Sequence, residues 1–160
     1  MQGFTPNHSK ASTLFYLKAG CLFFWACWFT LACTTNILDL ILAMGKLSAN
    51  WHFHSGNYTL LARTLSIYSV PAYLLNILFM LDISVQGLSA ILFFLALSAY
   101  LRRKHGWLLI NSAFTVSIAL WAVFIIMEEI FIAYQYESVH IRLFMFELLT
   151  LLTIHSLPQE

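Results

Sequence analysis

Four stretches of the chain are apolar for long enough to cross a membrane as helices. A spanning helix needs about 20 mostly apolar residues, and each residue adds ~1.5 Å along the axis. The stretches are residues 19–42, 71–100, 107–132 and 139–157. The last is the weakest as a span, because it contains Arg142 and Glu147. The pattern predicts one all-α domain, a polytopic membrane protein built as an antiparallel four-transmembrane-helix bundle.

The composition of the chain supports a membrane location. Water-soluble domains contain ~45–50% apolar and ~25% charged residues. This chain of 160 residues contains 61% apolar and 9% charged residues. Its net charge of +1 gives no electrostatic reason to expect nucleic acid as a partner. The expected partner is therefore the lipid bilayer, with a lipophilic small molecule or other membrane subunits as further candidates.

The first apolar stretch also resembles a lipoprotein signal, since a basic tail precedes it and "TLAC" ends at Cys33. Thr30 fits that pattern poorly, and the apolar run continues past the cysteine. We therefore expect this stretch to remain as the first span.

The basic residues between the spans indicate how the chain is oriented. Cytoplasmic connections carry an excess of lysine and arginine. Five basic residues lie on the side shared by the two termini: Lys10, Lys18, Arg102, Arg103 and Lys104. Three lie on the opposite side: Lys46, Arg63 and Arg142. We therefore expect both termini of this multi-pass protein to be cytoplasmic.

The acidic residues fall in one half of the predicted bundle. All except the terminal Glu160 lie in or beside a span, namely Asp39, Asp82, Glu128, Glu129, Glu137 and Glu147. Antiparallel helices place the end of one helix beside the start of the next, so these acids share the non-cytoplasmic half. A charge inside the bilayer costs several kcal/mol and normally faces the bundle interior. We therefore expect a polar pocket that opens toward the first and third connections.

Each predicted helix carries polar residues three, four or seven positions apart, which places them on one face. The resulting candidate ligand-binding residues are Asn36, Asp39, Asp82, Gln86, Glu129, His140 and Glu147. A competing interpretation is that such groups join helices through hydrogen bonds worth ~1 kcal/mol or less.

The connection after the first span, "NWHFHSGNYTLLARTLSIYSVP", is rich in aromatic residues and carries Arg63 as its only charged residue. Aromatic residues of this kind lie at the level of the lipid headgroups. The segment is interpreted either as an interfacial amphipathic element or as a lid whose histidines, His52 and His54, reach the acidic pocket.

The chain also resembles a known membrane family. Asp39 closes the first span, "LDISVQ" places Gln86 four residues after Asp82, and "SVHIRLFMFELLTLLTIHSLP" opens the fourth. These features are similar to EXPERA proteins, the emopamil-binding and sigma-2-receptor-like family, from about residue 24 to residue 158. The resemblance implies a bundle that encloses a pocket for sterols or other lipophilic, often cationic, ligands. It implies ligand contacts from Asp39 and Asp82, but no catalysis, because the histidine that the isomerases need one turn before Asp82 is absent.

A metal site is a competing interpretation. Glu137 and His140 have the three-residue spacing found in di-iron bundles, where two such pairs and two further carboxylates are used. Together with Glu129 and Glu147, this pair would suit zinc, iron or manganese. Because the chain has one such pair, we expect no metal and no other cofactor.

A third interpretation is a structural or assembly subunit of a membrane complex, in which the acids pair with Arg63 and Arg142. No catalytic triad motif, phosphate-binding loop or dinucleotide motif is present in the sequence. Enzymatic activity therefore stays open.

The predicted topology is tested by labelling single cysteines after the native ones have been replaced. We expect cysteines at the positions of Lys10 and Arg103 to react from one side of the membrane, and those at Trp51 and Tyr136 from the other. Labelling of position 136 from the same side as position 103 would mean that the third stretch, which lies between these positions, does not cross the membrane.

Overall fold

The computed structural model describes residues 8–103 and 106–158, and the side chains among them from residue 13 onward. Within these residues the structure is helical and contains no strand. The helices are α1 (His8–Ala43), α2 (Asn57–Leu65), α3 (Ala72–Leu101), α4 (Trp107–Ile130) and α5 (Tyr134–Ser156), and a short 3₁₀ helix (Ser66–Tyr68) follows α2. The side chain of Lys10, and Lys104 and Glu160, lie outside the described part.

Four of these helices are long and apolar enough to cross a membrane: α1 from Thr13, α3, α4 and α5. The all-α class and the four-helix bundle are thereby confirmed. The first span differs most from its predicted limits, because α1 begins at His8 and its candidate span at Thr13, rather than at residue 19. The fourth also starts earlier than predicted, at Tyr134 rather than at residue 139.

Tight backbone turns end α1 and α4. The N–H of Lys46 donates to the carbonyl of Ile41 at 3.1 Å, and that of Gly45 donates to Leu42 at 2.9 Å. This is a Schellman motif, which needs a left-handed residue, and Gly45 has a φ of 71°. The turn after α4 has the same pattern with Ile132, whose φ of 55° is unfavourable for a β-branched residue. With this turn, residues 131–133 alone connect α4 to α5.

The bundle packs in the order α1, α3, α4 and α5, with each helix against the next. Aromatic rings fill its centre. The ring of Phe29 on α1 lies 5.8 Å from Phe93 on α3 and 5.7 Å from Trp121 on α4. Phe93 also meets Phe114 edge-to-face at 4.9 Å. These rings lock three helices together, because protein interiors tolerate few voids.

Two contacts bring α5 back to α1. Trp25 Nε1 donates to Thr150 Oγ1 at 3.3 Å. Just beyond the C-terminal end of α5, buried Lys18 Nζ donates to the carbonyls of Leu157 and Pro158, both at 3.0 Å. A cation is favourable there, since the carbonyls at a helix C-terminus carry partial negative charge. The C-terminal end of α5 therefore lies beside the first half of α1.

The surface and interior are arranged as expected for a protein in lipid. Large apolar side chains such as Phe23, Leu108 and Phe146 are exposed on the helices, whereas Ser117 and Glu147 are fully buried. This arrangement suits a lipid environment because lipid tails favour apolar contact, and polar groups must find partners inside the bundle.

We expect Phe29→Ala to lower the midpoint of thermal unfolding in detergent, because it leaves a cavity where three helices meet. The loss should be smaller than the ~3–5 kcal/mol typical of soluble proteins, since lipid offers unfolded apolar groups a favourable environment. Phe23→Ala, at an exposed position, is the matched control and should change the midpoint little. Equal midpoints for the two variants would contradict the described packing.

Candidate functional site

The acidic residues inside the bundle form two clusters. The α1–α3 cluster contains Asn36, Asp39, Asp82 and Gln86, together with His54, Ser55, Asn57 and Tyr58 from the first connection. The α4–α5 cluster contains Ser117, Trp121, Glu128, His140 and Glu147. In the described residues no hydrogen bond joins one cluster to the other. The sequence predicted one polar pocket, whereas the structure has two separate clusters of polar side chains.

Asp82 is the centre of a closed ring of amide contacts. Its Oδ1 accepts from Gln86 Nε2 at 2.8 Å, and its Oδ2 accepts from Asn36 Nδ2 at 3.3 Å. Asn36 Nδ2 also donates to Gln86 Oε1 at 2.9 Å. The ring forms because Asp82 and Gln86 are one turn apart on α3 and face the same side of α1. It holds the carboxylate ~15 Å along α3 from Ala72. Among the described residues this carboxylate has no charged partner.

The first connection reaches this ring. Asn57, the first residue of α2, donates from Nδ2 to Asn36 Oδ1 at 2.9 Å. Asn36 is buried and uses both ends of its amide group, whereas Asp82 stays partly exposed. Three helices therefore position a carboxylate that keeps some access to its surroundings.

Asp39 binds the start of α2 rather than the ring. Its Oδ2 accepts from the Tyr58 backbone N–H at 2.7 Å and from Ser55 Oγ at 3.1 Å. The N-cap residue of α2 is Gly56, which has no side chain to cap the helix. The carboxylate of Asp39 supplies the missing acceptor from α1, and its negative charge favours the positive end of α2. Asp39 therefore determines where the first connection lies.

His54 gives Asp39 a further partner, with its Nδ1 2.9 Å from Asp39 Oδ1. His52 is exposed. Farther along the connection, the Tyr58 hydroxyl donates to Asn76 Oδ1 at 2.7 Å, and its ring meets Phe79 edge-to-face. One of the two histidines thus reaches an acid, and the connection folds against α1 and α3.

Glu147 is the fully buried acid of the α4–α5 cluster. Its Oε2 accepts from Trp121 Nε1 at 2.6 Å, and its Oε1 accepts from the Ser117 hydroxyl. Both donors are uncharged. Both carboxyl oxygens of Glu147 thus have hydrogen-bond donors, and no cation from the described part of the chain pairs with them. The full burial of Glu147 gives a ligand no direct access.

Glu128 and His140 form a second pair nearer the end of α4. His140 Nδ1 lies 2.6 Å from Glu128 Oε1, and the imidazole stacks on Phe124 at 4.8 Å and on Trp121 at 5.9 Å. The other carboxylate oxygen of Glu128 is buried without a hydrogen-bond donor in the described residues. The aromatic stack orients His140 toward Glu128.

The structure buries Glu128 rather than its neighbour Glu129, which is exposed. The candidate ligand-binding residues predicted from the sequence included Glu129 and omitted Glu128, Ser117 and Trp121. A helical signal for these residues existed, because positions 117, 121 and 128 are separated by one and two turns and therefore share a face. His54 and Asn57 carried no such signal, since their positions depend on how the first connection folds.

The residues of the alternative metal site do not come together. Among the described residues, no group of three or more histidine, cysteine, aspartate or glutamate side chains is arranged to hold an ion. His140 pairs with Glu128, and Glu147 contacts Ser117 and Trp121.

The acid–arginine pairs expected of a structural subunit are also replaced by other contacts. The ion pairs of the described chain join Asp39 to His54 and Glu128 to His140. Arg142 instead lies 3.5 Å from the Ser138 hydroxyl.

Comparison with protein-family models, curated proteins and solved structures found no match for this chain.

We expect Asp39→Ala to loosen the first connection, because three donors around α2 lose their acceptor. Hydrogen bonds to a charged group contribute ~1.5–3 kcal/mol, so amide exchange across residues 54–65 should become roughly tenfold to a hundredfold faster. Hydrogen-exchange mass spectrometry measures this change. The control is Glu129→Ala, which removes an exposed acid and should leave exchange in this segment unaltered.

Proposed function

We propose that this integral membrane protein binds a lipophilic small molecule with a protonated amine, and that Asp82 contacts the amine. The observation behind the proposal is a partly exposed carboxylate inside a span whose described partners are both neutral amides. A carboxylate has about four acceptor positions, and amides occupy two of them here. The remaining positions suit an N–H donor from a ligand.

Charge complementarity favours a cationic ligand over a neutral one. A carboxylate removed from water is costly when unpaired, and an opposite charge compensates much of that cost. Asp39 and Glu128 each have a histidine partner, whereas Asp82 has no basic partner in the described residues. An ammonium group would supply the missing charge through a charge-assisted hydrogen bond.

The surroundings of Asp82 favour an apolar body on the ligand. Asp82 lies within a candidate membrane span and stays partly exposed, and Met80 and Leu81 before it on α3 have exposed apolar side chains. A ligand dissolved in the bilayer, with an apolar body, suits this position better than a water-soluble one. Asn57 and the rest of the first connection cover the other side of the ring.

The likeness to EXPERA proteins agrees with this proposal but suggests different roles for the two aspartates. In that family an acid from each of the first two spans contacts the ligand. Here three donors already surround Asp39, so we assign it to positioning the first connection. We assign ligand contact to Asp82.

We also propose that both chain termini are cytoplasmic, because the side of the membrane that they share carries more lysine and arginine than the opposite side.

A second candidate is a structural or assembly role, favoured by the same ring. Asn36, Asp82 and Gln86 join α1 to α3, as expected of polar groups that hold membrane helices together. Under this alternative the ring contributes to stability, and Asp82 has no ligand.

The two candidates are separated by Asp82→Asn, which preserves shape and removes the charge. For the ligand-binding protein we expect an almost unchanged thermal midpoint in detergent. Binding of N,N-dimethyldodecylamine, measured by equilibrium dialysis against nanodiscs, should weaken by ~1–3 kcal/mol. That corresponds to a dissociation constant roughly 5- to 150-fold higher.

Glu147→Gln is the matched control, because it neutralises a different acid inside the bundle. Glu147 is fully buried, so a ligand cannot reach it. It should leave amine binding unchanged. A large fall in thermal midpoint for Asp82→Asn, with amine binding absent or unaltered in the wild type, would favour the structural role and overturn the proposal.

A further inference from the structure

A cleft lies between the first connection and the turn that joins α4 to α5. Its volume is about 150 Å³, and its walls come from the end of α2, the 3₁₀ helix and the start of α5. Tyr68 fastens the two sides, because its hydroxyl donates to the Ile130 carbonyl at 2.8 Å and its ring meets Phe131 edge-to-face at 5.3 Å. A single water needs only ~10–15 Å³ on a comparable measure, so the cleft has room for a larger group.

The polar groups of the cleft favour an anion. Arg63, Gln135 and Tyr136 line it and carry hydrogen-bond donors, and no acidic residue is among its lining residues. Within the described chain these three side chains have no hydrogen-bond or ion-pair partner. A guanidinium group presents a planar pair of donors that matches two oxygens of a phosphate.

The cleft also lies at one end of two candidate membrane spans, because it borders the end of α4 and the start of α5. The ends of spanning helices are where lipid headgroups are expected. Exposed aromatic side chains surround this end of the bundle, including Trp51, Tyr68 and Tyr134. Tryptophan and tyrosine concentrate at the membrane–water interface, where their rings contact the acyl boundary and their polar atoms contact water.

We propose that this cleft binds the phosphate of an anionic lipid headgroup, with Arg63 as the principal contact. Tyr136 and Gln135 donate to the remaining oxygens. Ile67 and Phe131 give the walls apolar area that suits the glycerol and the first part of the acyl chains. The site is independent of Asp82, since it uses a different set of residues and an opposite charge.

Binding is measured on the purified full chain, delipidated in detergent, by native mass spectrometry with added phosphatidylglycerol. We expect Arg63→Gln to raise the dissociation constant of phosphatidylglycerol roughly tenfold or more, as the loss of a charge-assisted hydrogen bond implies. Lys46→Gln is the matched control, because Lys46 is an exposed cation in the same connection that does not line the cleft. It should leave the dissociation constant unchanged.

Two further measurements complete the test. Tyr136→Phe should weaken phosphatidylglycerol binding even if Arg63→Gln fails to fold, since it removes only one hydroxyl from the cleft. Inorganic phosphate at the same concentration should not displace the lipid, because it lacks the glycerol and acyl contacts. Equal losses in Arg63→Gln and Lys46→Gln, no loss in Tyr136→Phe, or Arg63-dependent binding of inorganic phosphate without lipid binding would each overturn the proposal.

Discussion

The architecture of this protein depends on how polar groups are satisfied away from water. In lipid an unpaired polar group is costly, whereas apolar contact between helices gains little, because lipid tails offer the same contact. The ring of Asn36, Asp82 and Gln86 meets this requirement between α1 and α3. Ser117 and Trp121 meet it for Glu147 between α4 and α5. Hydrogen bonding therefore sets which helix faces meet, and the aromatic packing of Phe29, Phe93 and Trp121 fills the space between them.

The same requirement explains the position of the first connection. The N-cap residue of α2, Gly56, has no side chain to cap the helix, and Asp39 on α1 supplies the acceptor for the backbone N–H of Tyr58. Asn57 then lies within reach of Asn36. Fixing the connection over α1 and α3 also carries its later part, around Arg63 and Tyr68, to the turn between α4 and α5. The buried carboxylate of Asp39 thus relates the proposed amine site to the proposed headgroup cleft, because residues of the first connection, which Asp39 holds in place, contribute to both.

Helical periodicity correctly predicted which polar side chains share a helix face. Asp82 and Gln86 are one turn apart, so their shared face followed from helical spacing, as did the shared face of Asn36 and Asp39. Helical phase failed to separate Glu128 from Glu129, because adjacent residues differ by only about 100° and the packed side of α4 had to be known. The predicted single pocket became two clusters for a related reason. Which acids meet depends on which helices are neighbours, and α1 packs on α3 while α4 packs on α5.

The sequence by itself determined the all-α class of the protein and the number of helices long and apolar enough to cross a membrane. Length, hydropathy and alternating direction are local properties, and the bilayer converts them directly into topology. The tertiary structure decided the partners: His54 for Asp39, two amides for Asp82, and His140 for Glu128. It also placed Arg63 beside Gln135 and Tyr136, which lie far from it along the chain. These pairings depend on how each helix is rotated about its own axis and on the path of the first connection. Packing between distant segments decides both, and no local sequence pattern encodes it.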